Sequence, residues 1–70
     1  MQTNGAAIRA IREAKGWNLN PFASHAGIDS GYLSRLERGQ HNASPRVLKQ
    51  IATTLCVPLA AITSNENVES

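Results

Sequence analysis

Two serines, a glycine and two arginines spaced for one side of a helix are the residues with the most direct chemistry to offer. On a wheel of about 100° per residue with Ser30 at zero, Ser30, Gly31, Ser34, Arg35 and Arg38 centre at about 70°. Tyr32, Leu33 and Leu36 centre at about 250°, on the opposite side. The outer face is therefore small and polar at its N-terminal end and basic toward its C-terminal end. Such a helix fits the major groove of double-stranded DNA, where a guanidinium makes two parallel bonds to guanine or grips a phosphate. Any solvated helix carries a polar stripe, so this face acquires meaning only from the elements that hold it.

Other chemistries are poorly supplied. His25, His41 and Cys56 match no zinc spacing and lack a fourth ligand. The single aspartate, Asp29, serves best as a helix cap, and no nucleophile, base and orienting acid converge, so catalytic residues are expected to be none. No glycine-rich phosphate loop occurs, and no cofactor or metal is expected. Trp17, Phe22 and Tyr32 are assigned to the core or its rim, which argues against stacking on single-stranded bases. Cys56 is expected to pack near the end of a helix.

The elements that would position the basic face are short helices with capped ends. Thr3 or Asn4 can open a first helix running to about Lys15, with Ile8 and Ile11 inward, Arg9 and Glu13 paired outside, and Gly16 at its end. Asn18 caps a second over residues 19–26, where Pro21 is tolerated in the first turn and Gly27 closes it. Asp29 caps a third over residues 30–38, ended by Gly39. After a polar loop at 40–43, Ser44 and Pro45 open a fourth carrying Val47, Leu48, Ile51, Ala52 and Leu55. Residues 57–62 form a short fifth helix from Pro58. Two helices crossing at about 90–120° must approach closely, which needs a small residue at Ala23 and a positive φ at Gly27. Phe22, Ala26, Ile28, Leu33 and Leu36 then point to one core, and together these offsets make a helix-turn-helix.

Length and charge agree with a small binding module. Seventy residues with a net charge of +2 make one domain at most. Within residues 1–62, seven basic residues stand against three acids, leaving +4, which suits a polyanion partner. Residues 63–70 carry Glu66 and Glu69 and one apolar residue, Val68, and are expected to be a flexible, disordered polar tail. One cysteine excludes an internal disulfide and fits a reducing cytoplasm. The longest apolar run, residues 57–62, falls far short of the roughly 18 needed to span a bilayer, and residues 1–10 hold no secretory apolar region. The expectation is a cytoplasmic protein with no membrane partner.

Residues 8–39, from Ile-Arg-Ala-Ile-Arg-Glu-Ala-Lys-Gly-Trp-Asn to Gly-Tyr-Leu-Ser-Arg-Leu-Glu-Arg-Gly, resemble the Cro/C1-type (XRE-like) helix-turn-helix family of phage and bacterial transcriptional repressors. With residues 44–62 added, the likeness covers residues 3–62, and agreement is good at Arg12, Gly16, Phe22, Ala23, Gly27, Ile28, Leu33, Leu36, Glu37 and Gly39. The resemblance implies an all-α, five-helix lambda-repressor-like domain over residues 1–62. Its third helix would read operator DNA, usually from a dimer. It also implies a structural ion pair between Arg12 and Glu37 that ties the first helix to the end of the third. Where family members often carry a phosphate-binding glutamine, this chain has Leu19. That contact passes to Asn18, Asn20 and the free amides near the second helix's start.

The expected DNA-binding set is Asn18, Asn20, Ser30, Gly31, Ser34, Arg35, Arg38, Gln40, His41 and Asn42. Gly31 either permits close backbone approach or reads nothing. The loop residues Gln40, His41 and Asn42 are neutral where phage relatives are often basic, so affinity per monomer is expected to be modest. By family analogy a homodimer, at least on DNA, would use Val57, Pro58 and Leu59, because nothing past residue 62 could form a separate dimerisation domain. The expected function is a sequence-specific double-stranded DNA-binding transcriptional regulator, a small phage repressor or Cro-like protein or a bacterial relative. Alternatives are an antitoxin-type or adaptor protein with a protein as its main partner, and a DNA-bending recombination accessory factor.

Overall fold

A side-chain oxygen caps three of the four α-helix starts in the computed structural model, which describes residues 2–64. Asn4 Oδ1 accepts from the Ala7 amide at 3.1 Å and opens α1 (Gly5–Ala14). The α2 helix (Leu19–Ala26) starts at Asn18, whose side chain makes no capping bond. Asp29 Oδ2 accepts from the Tyr32 amide at 3.1 Å and opens α3 (Ser30–Glu37). Ser44 Oγ accepts from the Val47 amide at 3.3 Å and opens α4 (Pro45–Leu55), with Pro45 in the first turn where no amide is required. Each cap of this kind contributes about 1 kcal/mol.

The fifth helical piece takes the form of a four-residue 3-10 helix (Leu59–Ile62) rather than an α-helix. Pro58 precedes it, and the four residues between Pro58 and the extended Thr63 are enough for one tight turn only. The chain is thus mostly helical, with four α-helices among the described residues, but it is not purely α. A short antiparallel ribbon joins β1 (Gln2–Thr3) to β2 (Thr63–Ser64), in the register Gln2 to Ser64 and Thr3 to Thr63. Thr63 and Ser64 therefore belong to the folded body and not to the polar tail expected from residue 63 onward. Backbone pairing, for which neither residue needs an apolar side chain, recruits them. The rest of that expected tail lies outside the described residues.

Ile8, Phe22, Leu33, Leu36, Leu48, Ile51, Leu55 and Ile62 are fully buried and make one core shared by every helix. Each such side chain stabilises the fold by about 1.5–3 kcal/mol. Trp17, Ile28 and Tyr32 pack against its rim, and Trp17 meets Phe22 edge-on with centroids 5.6 Å apart. Cys56 does not join this core. It is exposed, and it ends α4 in a left-handed conformation (φ 60°) usually left to glycine, with its amide bonded back into the last turn.

The α1 and α3 helices approach closely at Gly5. A Cβ on the buried Gly5 would overlap the Leu36 carbonyl oxygen and come within 2.9 Å of the Glu37 carbonyl oxygen. Only glycine lets the start of α1 rest on the last turn of α3, so this residue sets how the probing helix is seated.

Candidate nucleic-acid interface

Between α2 and α3 the chain turns on Gly27, whose φ of 76° lets the Ile28 amide reach back to the Ala23 carbonyl at 2.9 Å. Ala23 is buried, so no side chain props the two helices apart. The Asp29 cap then launches α3 with Leu33 and Leu36 buried and the opposite face open. On that face Ser30, Gly31 and Ser34 are half-buried, while Arg35 and Arg38 are exposed. Arg35 leans toward the N-terminal end of its own helix. A Cβ on Gly31 would lie 3.6 Å from the Arg35 Nη1 and 2.9 Å from the Asp29 Oδ2. Arg38 stands at the C-cap and holds its Nε 3.4 Å from the Ser34 carbonyl oxygen.

A bidentate ion pair braces α3 from behind. Arg12 Nε donates to Glu37 Oε2 at 2.6 Å and Nη2 to Oε1 at 3.0 Å, with side chains only 8% and 6% exposed. The third donor, Nη1, reaches the Trp17 carbonyl at 2.7 Å. One guanidinium thus joins α1, the end of α3 and the loop entering α2, using the planar fork that lysine lacks. The hydrogen bond to Glu37 raises the pKa of Arg12 above its ordinary value, against the opposing effect of burial, and the charges of Glu37 and Glu13 add to the rise.

The other expected contact residues fall on two flanks of α3. Asn18 and Asn20 are exposed at the α2 start, and Asn18 has its side chain free of capping duty. Leu19 between them is half-buried and packs on the core, as an apolar side chain at that position must. Arg9, Arg12, Leu19, Ser34, Glu37 and Arg38 line a groove between α1, the α2 start and the end of α3. On the other flank Gln40, His41 and Asn42 are exposed, and His41 lies against Tyr32 with ring centroids 6.1 Å apart.

Asn42 and its neighbour Ala43 are anchored by a residue that sequence reading treated only as a helix cap. The Thr3 amide donates to Asn42 Oδ1 at 3.2 Å, and the Ala43 amide donates to Thr3 Oγ1 at 2.9 Å. These partners are 39 and 40 residues apart, and no local pattern announces them. Gly5 was missed for the same reason. A glycine at the first turn of a helix carries no signal that another helix's carbonyls rest on it.

The structure does not bring together His25, His41 and Cys56. His25 sits against Trp17, with ring centroids 4.9 Å apart, His41 against Tyr32, and Cys56 at the end of α4. Among the described residues no group of three His, Cys, Asp or Glu side chains is placed to hold a metal, and no helix is long and apolar enough to cross a membrane. Val57 and Leu59 are half-buried and Pro58 is exposed, giving a small apolar surface beside Cys56.

The helix-turn-helix family HTH_3 matches residues 8–62. The HTH-type transcriptional regulator SlrR of Bacillus subtilis is 38% identical over 65 residues, covering 91% of this chain and 43% of SlrR. Among solved structures, the restriction-modification controller protein C.AhdI from Aeromonas hydrophila superposes with a TM-score of 0.79. It is 33% identical and covers 81% of this chain and 86% of its own. The N-terminal DNA-binding domain of SinR from Bacillus subtilis gives a TM-score of 0.80 at 30% identity, covering 90% and 93%. SinR has also been solved in complex with DNA. The chain spans less than half the length of the first curated relatives it matches.

Proposed function

The chain belongs to the helix-turn-helix family, and from that membership and the geometry of α3 we propose that it is a sequence-specific double-stranded DNA-binding transcriptional regulator. The observation that carries this reading is the exposure of Arg35 on α3 and of Arg38 at its C-cap, while the opposite face buries Leu33 and Leu36 and the helix end is braced by Arg12 and Glu37. Relatives of this fold are regulators and not enzymes, and one of them has been solved on DNA. In this arrangement α3 enters the major groove. Ser30, Gly31, Ser34 and Arg35 face base edges, while Arg38 at the helix end and Asn18 and Asn20 at the α2 start grip phosphate. Gln40, His41 and Asn42 grip the backbone on the other side. Repression follows where such a complex blocks polymerase or displaces a competing regulator, in a small phage repressor or Cro-like protein or a bacterial relative acting in the cytoplasm.

Two copies joined through Val57, Pro58 and Leu59 would set their α3 helices about 34 Å apart, one turn of duplex, and so favour a palindromic site. Selection of bound duplexes from a random pool, then titration with salt, tests the reading. In the selected site Arg35→Ala should lose about 1–3 kcal/mol of discrimination at one base position. Arg38→Ala should weaken all sequences alike and lower the salt slope by about one. A pool that yields no enriched sequence overturns the proposal.

A further inference from the structure

The loop that follows α3 reaches its place through β1. Thr3 stands in the middle of that attachment, with its strand paired to β2 and the next residue, Asn4, donating to the Ile62 carbonyl at 2.9 Å. Toward the loop, Thr3 makes two reciprocal bonds, one from its amide to Asn42 Oδ1 and one from the Ala43 amide to its own hydroxyl oxygen. The first bond fixes more than position. An amide N–H can be met only by an oxygen, so Oδ1 must face Thr3 and the Asn42 –NH2 must face away, as a pure donor. A side chain that presents only donors on an exposed loop beside a DNA-reading helix is matched to a phosphate oxygen.

We infer that Thr3 is a positioning residue for DNA binding, orienting the Asn42 amide and pinning residues 40–43 so that their donors meet the DNA backbone next to α3. The inference rests on the proposed function and adds to it a residue that touches no base and no phosphate. Its physical logic is preorganisation. Gln40 and His41 lie between the α3 C-cap, where the Gln40 amide reaches the Arg35 carbonyl at 2.9 Å, and the Thr3 anchor. Ordering this stretch in the free protein leaves less entropy to be lost on the DNA.

Thr3→Val tests it, because valine keeps the backbone amide, the β-branch and the strand pairing while removing the hydroxyl. On a duplex selected by the wild type, Thr3→Val should bind about threefold to tenfold more weakly, the range expected for one lost hydrogen bond. Its salt slope should stay unchanged, because Gln40, His41 and Asn42 carry no charge that would release a counterion, and the ranking of base substitutions should be unchanged too. Thr3→Ser should restore the affinity. Adding Thr3→Val to Asn42→Ala should cost less than the sum of the two, since both loosen the same attachment of residues 40–43. Amide exchange at Ala43 in the free protein should quicken in Thr3→Val and not in Thr3→Ser. Wild-type affinity in Thr3→Val, or unchanged Ala43 exchange, overturns the inference and leaves the proposed function standing. A wild type that selects no duplex overturns both.

Discussion

Replacing Glu37 with glutamine keeps the shape of the side chain and removes its charge, which isolates what the pair with Arg12 contributes. The guanidinium is 8% exposed and would be left buried with a neutral amide in place of its carboxylate, one of whose two oxygens becomes a hydrogen-bond donor facing a donor. Breaking one side of a buried pair costs about 3–5 kcal/mol. A chain of this length is stable by about 3.5–10 kcal/mol in total, so Glu37→Gln should sacrifice about 30% of it or more. At about 4–8 °C per kcal/mol for a small domain, the midpoint of thermal unfolding followed by circular dichroism should fall by at least about 12 °C. The double variant Arg12→Met/Glu37→Leu removes both charges and should be more stable than Glu37→Gln alone. It should still lie about 1–3 kcal/mol below the wild type, because the Trp17 carbonyl loses the donor that Arg12 Nη1 supplies. The pair's response to alkali has a definite sign. The folded pKa of Arg12 is raised, so its contribution is complete below the ordinary guanidinium range and is lost only as pH rises through a still higher value. The gap between wild type and Glu37→Gln should therefore be the same at pH 7 and pH 10. A Glu37→Gln cost under about 1 kcal/mol, the level of an exposed pair, would refute the reasoning.

Other substitutions probe the seating of α3 and the surface beside it. Gly5→Ala should destabilise by at least the 1–3 kcal/mol, roughly, that overpacking costs, since the obstacle is the Leu36 backbone carbonyl and not a side chain that can swing away; chemical denaturation measures it. Asp29→Ala should cost about 1 kcal/mol by removing the α3 cap, with the same readout. Cys56→Gly should stabilise by up to about 1 kcal/mol, because glycine adopts the left-handed end of α4 without a Cβ clash, and a lower melting midpoint would contradict that. Leu59→Asp should shift the DNA-bound species from two copies to one in analytical ultracentrifugation, and no shift would remove Val57, Pro58 and Leu59 from the interface.

The order and limits of the helices were written in local chemistry. Asn4, Asp29 and Ser44 carry the cap oxygens, Gly27 supplies the positive φ, and the apolar spacing of Leu33 and Leu36 already put Arg35 on the outer face. These signals act over three or four residues, so a linear reading recovers them. The 3-10 form of Leu59–Ile62 was less legible, because one turn of 3-10 and one turn of α-helix share the same residue preferences. The exposure of Cys56 was not legible at all, since its place in the sequence fits a core position and only the left-handed end of α4 turns it outward.

What the tertiary structure alone decided lies at contacts between residues far apart in the chain. Arg12 and Glu37 stand 25 residues apart, and whether they were a buried fork or two separate surface charges depended on how closely α1 meets α3. Gly5 decides that distance, through a carbonyl contact that no pattern of side chains encodes. Thr3, Asn42 and the Thr63–Ser64 strand follow the same rule: polar residues of unremarkable type, they acquire a role only when the fold brings β1 against β2 and against the loop after α3. Periodicity and caps report on a helix's own turns. A hydrogen bond closed across 39 residues reports on the packing of every helix between them.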